Sequence, residues 1–294
     1  LIARKNICGR IKKSYYFVNH LKPRSAKRKQ PLEQFEMAYQ YLHLEKQDAA
    51  GILRFNRPET MNAFDAVMVQ EIPVALRELL RDDEVRVIIL TGNGKGFCAG
   101  ADVKFLDELA ATHDVQPGEV LVRTGSEAVA MIHGADKPVI AAINGATVGG
   151  GAGLALACDF RLMAQSANLS FAFIRLGLHP DLGCTYFLPR FVGPAKAAEL
   201  FMTGRMLSAN EALALGLSNR VVADEDLMPQ ALKLAAELAE KSPVALRLIK
   251  EGLRQTFAQS LHAMLEFEVR GQAMCFQSQA AREAIQKFLA ARKK

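Results

Sequence analysis

Two apolar runs that each end in a glycine-rich turn constrain this chain more than any other feature. Residues 85–91 lead into Gly96-Phe97-Cys98-Ala99-Gly100-Ala101-Asp102, and residues 138–143 lead into the stretch from Asn144 to Gly153, which holds Gly149, Gly150 and Gly151. A short unbroken apolar run reads as a strand buried on both faces. Each turn then opens into a helical pattern whose first N–H groups lack an intrahelical acceptor. Brought together, two such ends can hold one negative oxygen, because small side chains let it approach the peptide plane. A third segment, Gly177 to Gly183, adds a lone acid, Asp181.

Around these turns, short apolar runs alternate with helical stretches from about 39 to 222, which indicates α/β architecture with buried parallel strands. Residues 39–46 and 50–56 read as a hairpin. Asp65 caps a helix that runs to Arg81, with Met68, Ile72, Leu76, Leu79 and Leu80 on its apolar side; Pro73 is expected to kink or break it. Residues 152–158 read as a helix buried all round, and 160–164 as the next strand. Ser208 with Glu211 forms a capping box for a helix that Gly216 ends, and Ser242-Pro243 starts another. Beyond 226 the pattern is amphipathic helix, whose apolar stripes need either the core or a neighbouring subunit.

The net charge of +6 suggests a polyanion partner until its location is considered. Residues 1–30 hold ten of the 37 Lys/Arg and none of the 31 Asp/Glu, so the remainder carries 27 basic against 31 acidic residues. The basic excess belongs to a lead segment, 1–36, whose composition reads as disordered. A targeting peptide and a phosphate-binding arm are two readings of it; a leader upstream of a start at Met37 is the favoured third. The body argues against a nucleic-acid partner, and no apolar run is long enough to span a bilayer. Five scattered cysteines without paired spacing suggest a reducing, cytoplasmic setting and no metal site.

A phosphate cradle is the usual reading of a glycine-rich turn before a helix, but neither turn has the spacing of a P-loop or a dinucleotide fingerprint. Instead Phe97 to Asp102, Pro138 to Gly145, Gly149 to Gly151 with Ala157-Cys158-Asp159, and Leu176 to Asp181 together resemble the enoyl-CoA hydratase/isomerase (crotonase) superfamily, over about 41–290. That resemblance implies a spiral of ββα units over 37–225 and a helical trimerisation region over 226–294. It also implies an acyl-CoA thioester substrate, a homotrimer or dimer of trimers, and an oxyanion hole from the N–H groups of Ala101 and Gly150. No separate cofactor is implied, since coenzyme A enters with the substrate. The backbone around Phe97, Cys98 and Ala99 is expected to meet the coenzyme arm, with Lys104, Arg57 and Arg292 as phosphate partners.

Departures from the family pattern indicate the reaction. Hydratases of the family carry two glutamates; here those positions are Gly153 and Phe173. Asp181 matches the acid that several isomerases of the superfamily use, and 176–190 looks most like the ring-isomerising branch from phenylacetate catabolism. The expected activity is therefore double-bond or ring isomerisation, with Asp181 as proton shuttle in a pocket dried by Phe173 and its apolar neighbours. A hydratase with one carboxylate and a non-catalytic acyl-CoA- or RNA-binding protein are the alternatives. A dehalogenase is disfavoured because the chain has no Trp. Asp102 and Asp159 read as structural, His179 as a loop histidine, and Cys184 as a thiol without a basic partner.

Overall fold

Strands whose every residue is buried set the architecture. The computed structural model describes residues 39–292 apart from His113; the leader 1–36 lies outside the described residues. β1 (Leu42–Gln47) and β2 (Ala50–Phe55) form the expected antiparallel hairpin. Then β3 (Val87–Gly92) is followed by β4 (Gly96–Cys98), β5 (Val139–Ile143) by β6 (Ala146–Val148), and β7 (Phe160–Ala164) by β8 (Asn168–Ser170). With β9 (Met206–Ser208) and β10 (Arg220–Val222), they sort into two sheets. One runs β1-β2-β3-β5-β7-β10 and the other β4-β6-β8-β9. Each long strand pairs in the first sheet, and the short strand after it pairs in the second.

The helices complete the units: α1 (Ala66–Arg81), α2 (Val103–Thr112), α3 (Gln116–Gly134), α4 (Gly150–Ala157), α5 (Cys184–Thr203), α6 (Ala209–Ala214), α7 (Leu227–Ala239), α8 (Pro243–Gln255), α9 (Leu261–Gln277) and α10 (Gln279–Ala291). The result is the α/β spiral of strand–strand–helix units that the resemblance implies. Asp65 caps α1, accepting from the N–H groups of Val67 and Met68. Contrary to expectation, α1 runs unbroken through Pro73. That ring is buried in the core-facing side, so packing offsets the missing hydrogen bond. The all-apolar α4 is buried at every position, as its sequence requires.

The four strands of the second sheet, three residues each, escape a sequence reading because two-residue periodicity needs a longer run to be visible. At the C-terminal end, α7 packs across β2, β3, β5 and β7 and so belongs to the core in packing terms. Lys250 of α8 is buried and pairs at 2.7 Å with Asp159, which also accepts the Val139 N–H at 2.8 Å. Asp159 is thus structural, as read. Beyond this staple, α9 buries only Gly271 and α10 buries nothing, leaving Leu261, Leu265, Val269, Phe276 and Phe288 exposed. No helix among the described residues is long and apolar enough to cross a membrane.

Candidate active site

The first glycine turn is held from one side by Phe64. Its N–H donates to the Gly100 carbonyl at 2.6 Å and its carbonyl accepts the Asp102 N–H at 2.8 Å, a parallel bridge to Ala101. Such a bridge leaves the central residue's own N–H directed away from its partner. Among the described residues, no group accepts the Ala101 N–H. Gly100 is left-handed (φ 87°), and a Cβ there would lie 3.0 Å from the Val148 carbonyl oxygen.

Asp102 anchors this turn. Its carboxylate accepts the Lys104 N–H at 2.9 Å and meets the Arg57 guanidinium at 2.8 Å, with both side chains buried. Arg57 also donates to the Ala63 carbonyl and lies over the Tyr41 ring. This corrects the expectation that Arg57 serves coenzyme phosphate, because it is committed to holding the turn. Asn62, fully buried and left-handed (φ 59°), ties the same loop to the Asn93 and Gly96 carbonyls.

The second turn starts α4 directly against the first. A Cβ on Gly151 would lie 2.3 Å from the Cys98 carbonyl oxygen, so only glycine permits the approach. Gly149 (φ 56°) donates to the Ser170 carbonyl; the next N–H, of Gly150, has no acceptor among the described residues. Two unpaired N–H groups therefore lie on adjoining turns, one of them at a helix N-terminus whose dipole favours negative charge.

Asp181 completes the constellation. A cavity of about 270 Å³ is lined by Phe64, Ala101, Gly150, Phe173, Asp181 and Leu182 among others. Asp181 Oδ1 is buried without a hydrogen-bond partner, 3.7 Å from where a Gly150 Cβ would stand. Burial pushes this carboxyl up to about 6, against smaller opposing pulls from His179 and a backbone hydrogen bond. Its carbonyl closes a turn to the Cys184 N–H at 2.9 Å through Leu182 (φ 45°) and Gly183 (φ 78°).

Other expected residues fall differently. The structure brings Ala101, Gly150, Phe173, Asp181 and Ala99 to the cavity, but Phe97 and Cys98 turn fully buried side chains into the core, where Phe97 meets Phe55 edge-on at 5.3 Å. Those two side chains do not line the cavity, and only their backbone is left for a ligand contact. Lys104 is exposed on α2 and does not line the cavity either, while Arg292 stands over the Phe288 ring. Burial raises the Cys184 thiol, and no cation contacts it. Gly153 has no room for a side chain: a Cβ there would meet the Leu182 carbonyl oxygen at 2.4 Å. Phe64 is a lining residue that the sequence reading missed; Leu182, expected among the apolar neighbours of Asp181, lines the cavity too, but nothing in the sequence marks its left-handed backbone.

A second cavity, about 390 Å³, lies among the C-terminal end of α4, α5 and α8. Its Asp159, the one acid among the described lining residues, is paired with Lys250; Arg161, Arg190 and Arg254 donate to backbone carbonyls, and the His133 ring stands edge-on to Tyr186 and Phe187, where burial lowers its pKa.

A family model described as enoyl-CoA hydratase/isomerase matches residues 45–294. The crotonyl-CoA hydratase of Syntrophomonas wolfei is 36% identical over 258 residues, covering 87% of this chain and 98% of that protein. The 1,2-epoxyphenylacetyl-CoA isomerase of Escherichia coli is 38% identical over 252 residues, covering 85% and 95%. The crystal structure of an enoyl-CoA hydratase from Bacillus anthracis superposes with a TM-score of 0.81 at 33% identity, covering 86% of this chain and 97% of that one.

The raised Asp181 carboxyl has a consequence for stability. With the folded value above the unfolded one, the native state binds more protons between them, so stability falls as pH rises from the ordinary aspartate range through about 6. Asp181→Asn removes that penalty. The variant is expected to be more stable by about 1–3 kcal/mol near pH 8 and to lose the advantage below about pH 4, as read by urea denaturation across pH.

Proposed function

The chain belongs to the enoyl-CoA hydratase/isomerase family, and on that premise we propose that it is an acyl-CoA isomerase in which Asp181 carries the proton. Members of the family act on acyl-CoA thioesters. In this reading the thioester oxygen lies between the N–H groups of Ala101 and Gly150. Asp181 takes a proton from the carbon next to the thioester, and the electron pair moves onto the carbonyl oxygen as a dienolate. The protonated Asp181 then returns the proton two carbons away, which moves the double bond from the 3- to the 2-position. The same held enolate serves ring isomerisation. No group beyond the substrate's own coenzyme A is required.

One observation carries this reading: among the described residues, the only acid lining the cavity is Asp181, whose Oδ1 is buried and unpartnered beside Gly150, whereas position 153 is closed to any side chain and position 173 is phenylalanine. A base with a value near neutrality suits proton transfer at carbon. A preorganised N–H donor is typically worth about 3 kcal/mol to such an oxyanion. The hydratase names among the relatives favour a second reading, hydration. By the two-carboxylate route, hydration needs a second acid that the cavity does not supply.

The exposed apolar faces of α9 and α10 are read as the surface on which further copies pack, in a trimer or dimer of trimers. Sedimentation equilibrium at micromolar concentration is expected to give three or six copies; a monomer contradicts this. For the chemistry, Asp181→Asn is expected to lower 3-enoyl-CoA to 2-enoyl-CoA turnover by about 10²–10⁴-fold. Turnover equal to that of the native protein overturns the assignment.

A further inference from the structure

Leu182 stands beside Asp181 in the cavity wall. It is 2% exposed and left-handed (φ 45°), a backbone state that strains a non-glycine residue, although Gly183 next to it adopts φ 78° freely. Two helices make room for its side chain. A Cβ on Gly125, inside α3, would lie 3.0 Å from Leu182 Cδ2, and one on Gly150 would lie 3.0 Å from the same atom. On its other side, the Leu182 carbonyl oxygen and Cβ stand 2.4 and 3.0 Å from a would-be Cβ of Gly153.

Three unfavourable choices thus converge on one side chain: a strained leucine, a glycine in a helix interior and the loss of any side chain at 153. We propose that Leu182 is the positioning residue that excludes water from Asp181, so that the abstracted proton is returned to the substrate and not exchanged with solvent. This rests on the proton-shuttle reading above. Leu182 presses branched carbon against the first turn of α4, beside which Oδ1 of Asp181 is buried without a hydrogen-bond partner. The titratable and charged groups around Asp181 are His179 on its own loop, Arg175 on the cavity wall and the buried Cys184 at the start of α5. Toward this corner α3 and α4 present Leu121, Gly125, Gly150 and Gly153, none of which titrates. Leu182 is therefore the group whose removal lets solvent in.

The test uses the full chain, 3-enoyl-CoA in deuterium oxide, and the pH dependence of kcat. Leu182→Gly relieves the backbone and opens the corner. Its acidic limb is expected to fall by about one unit from the native position, toward ordinary aspartate, and deuterium in the product to rise severalfold. Leu182→Met, which refills the space, is expected to restore both. If Leu182→Gly does not fold, Leu182→Asn carries the same test, since asparagine tolerates the left-handed region. Limb and label unchanged in the opened variant overturn the proposal. Asp181→Asn run alongside separates the failures. If it is inactive while opening position 182 changes nothing, the shuttle stands and the water-excluding role falls. If it retains native turnover, the shuttle reading has failed and this inference with it.

Discussion

The site depends on a backbone-to-backbone approach that only glycine allows. Gly151 brings the first turn of α4 against the Cys98 carbonyl, and Gly100 lets the facing turn pass the Val148 carbonyl in return. Any Cβ at Gly151 would separate the two turns, and with them the N–H groups of Ala101 and Gly150. Rigidity on the far side comes from the buried Arg57–Asp102 pair, which ties the loop after β2 to the turn after β4, and from Asn62, which ties the same loop to the connection between β3 and β4. Removing one partner of such a buried pair typically costs about 3–5 kcal/mol. The turn that carries Ala101 is therefore anchored on both sides.

In the proposed reading, the proton chemistry is a matter of what stands near one carboxylate. Family hydratases place glutamates where this chain has Gly153 and Phe173. The structure adds that the first position is sealed as well as empty, because the Leu182 carbonyl fills the space a Cβ would need. Restoring a glutamate at 153 alone would collide with the Asp181 loop. The loop and the helix fit one another closely, and the fit leaves Asp181 Oδ1 buried and unpartnered and the carboxyl raised toward neutrality. A buried acid of this kind destabilises the fold once it ionises, and in the proposed reading that is the usual tension between a stable protein and a reactive one.

Much of this was legible in the sequence because it rests on local patterns. Unbroken apolar runs at β3 and β5, the Asp65 cap and the Ser208–Glu211 box each carry their own signal, and the order of the glycine turns carries the family resemblance. What was not legible depends on partners distant in sequence. The strands β4, β6, β8 and β9 exist through their pairings and not through periodicity. Phe97 and Cys98 belong to a three-residue strand buried throughout, so only their backbone, as the resemblance implies, is left for a ligand, and that their side chains serve the core shows only once the strand's pairing is known. Arg57 looks like any surface cation until Asp102, 45 residues later, is seen to hold it. Leu182 is the clearest case: its identity is ordinary, and its left-handed backbone and the two glycines that make room for it appear only in the structure.

The central claim is that this site moves a proton and adds no water. A panel of 2- and 3-enoyl-CoA substrates turned over in heavy-oxygen water, with products resolved by mass, tests it most directly. The account predicts products with a shifted double bond and no oxygen label. A labelled 3-hydroxyacyl-CoA as the main product would contradict it.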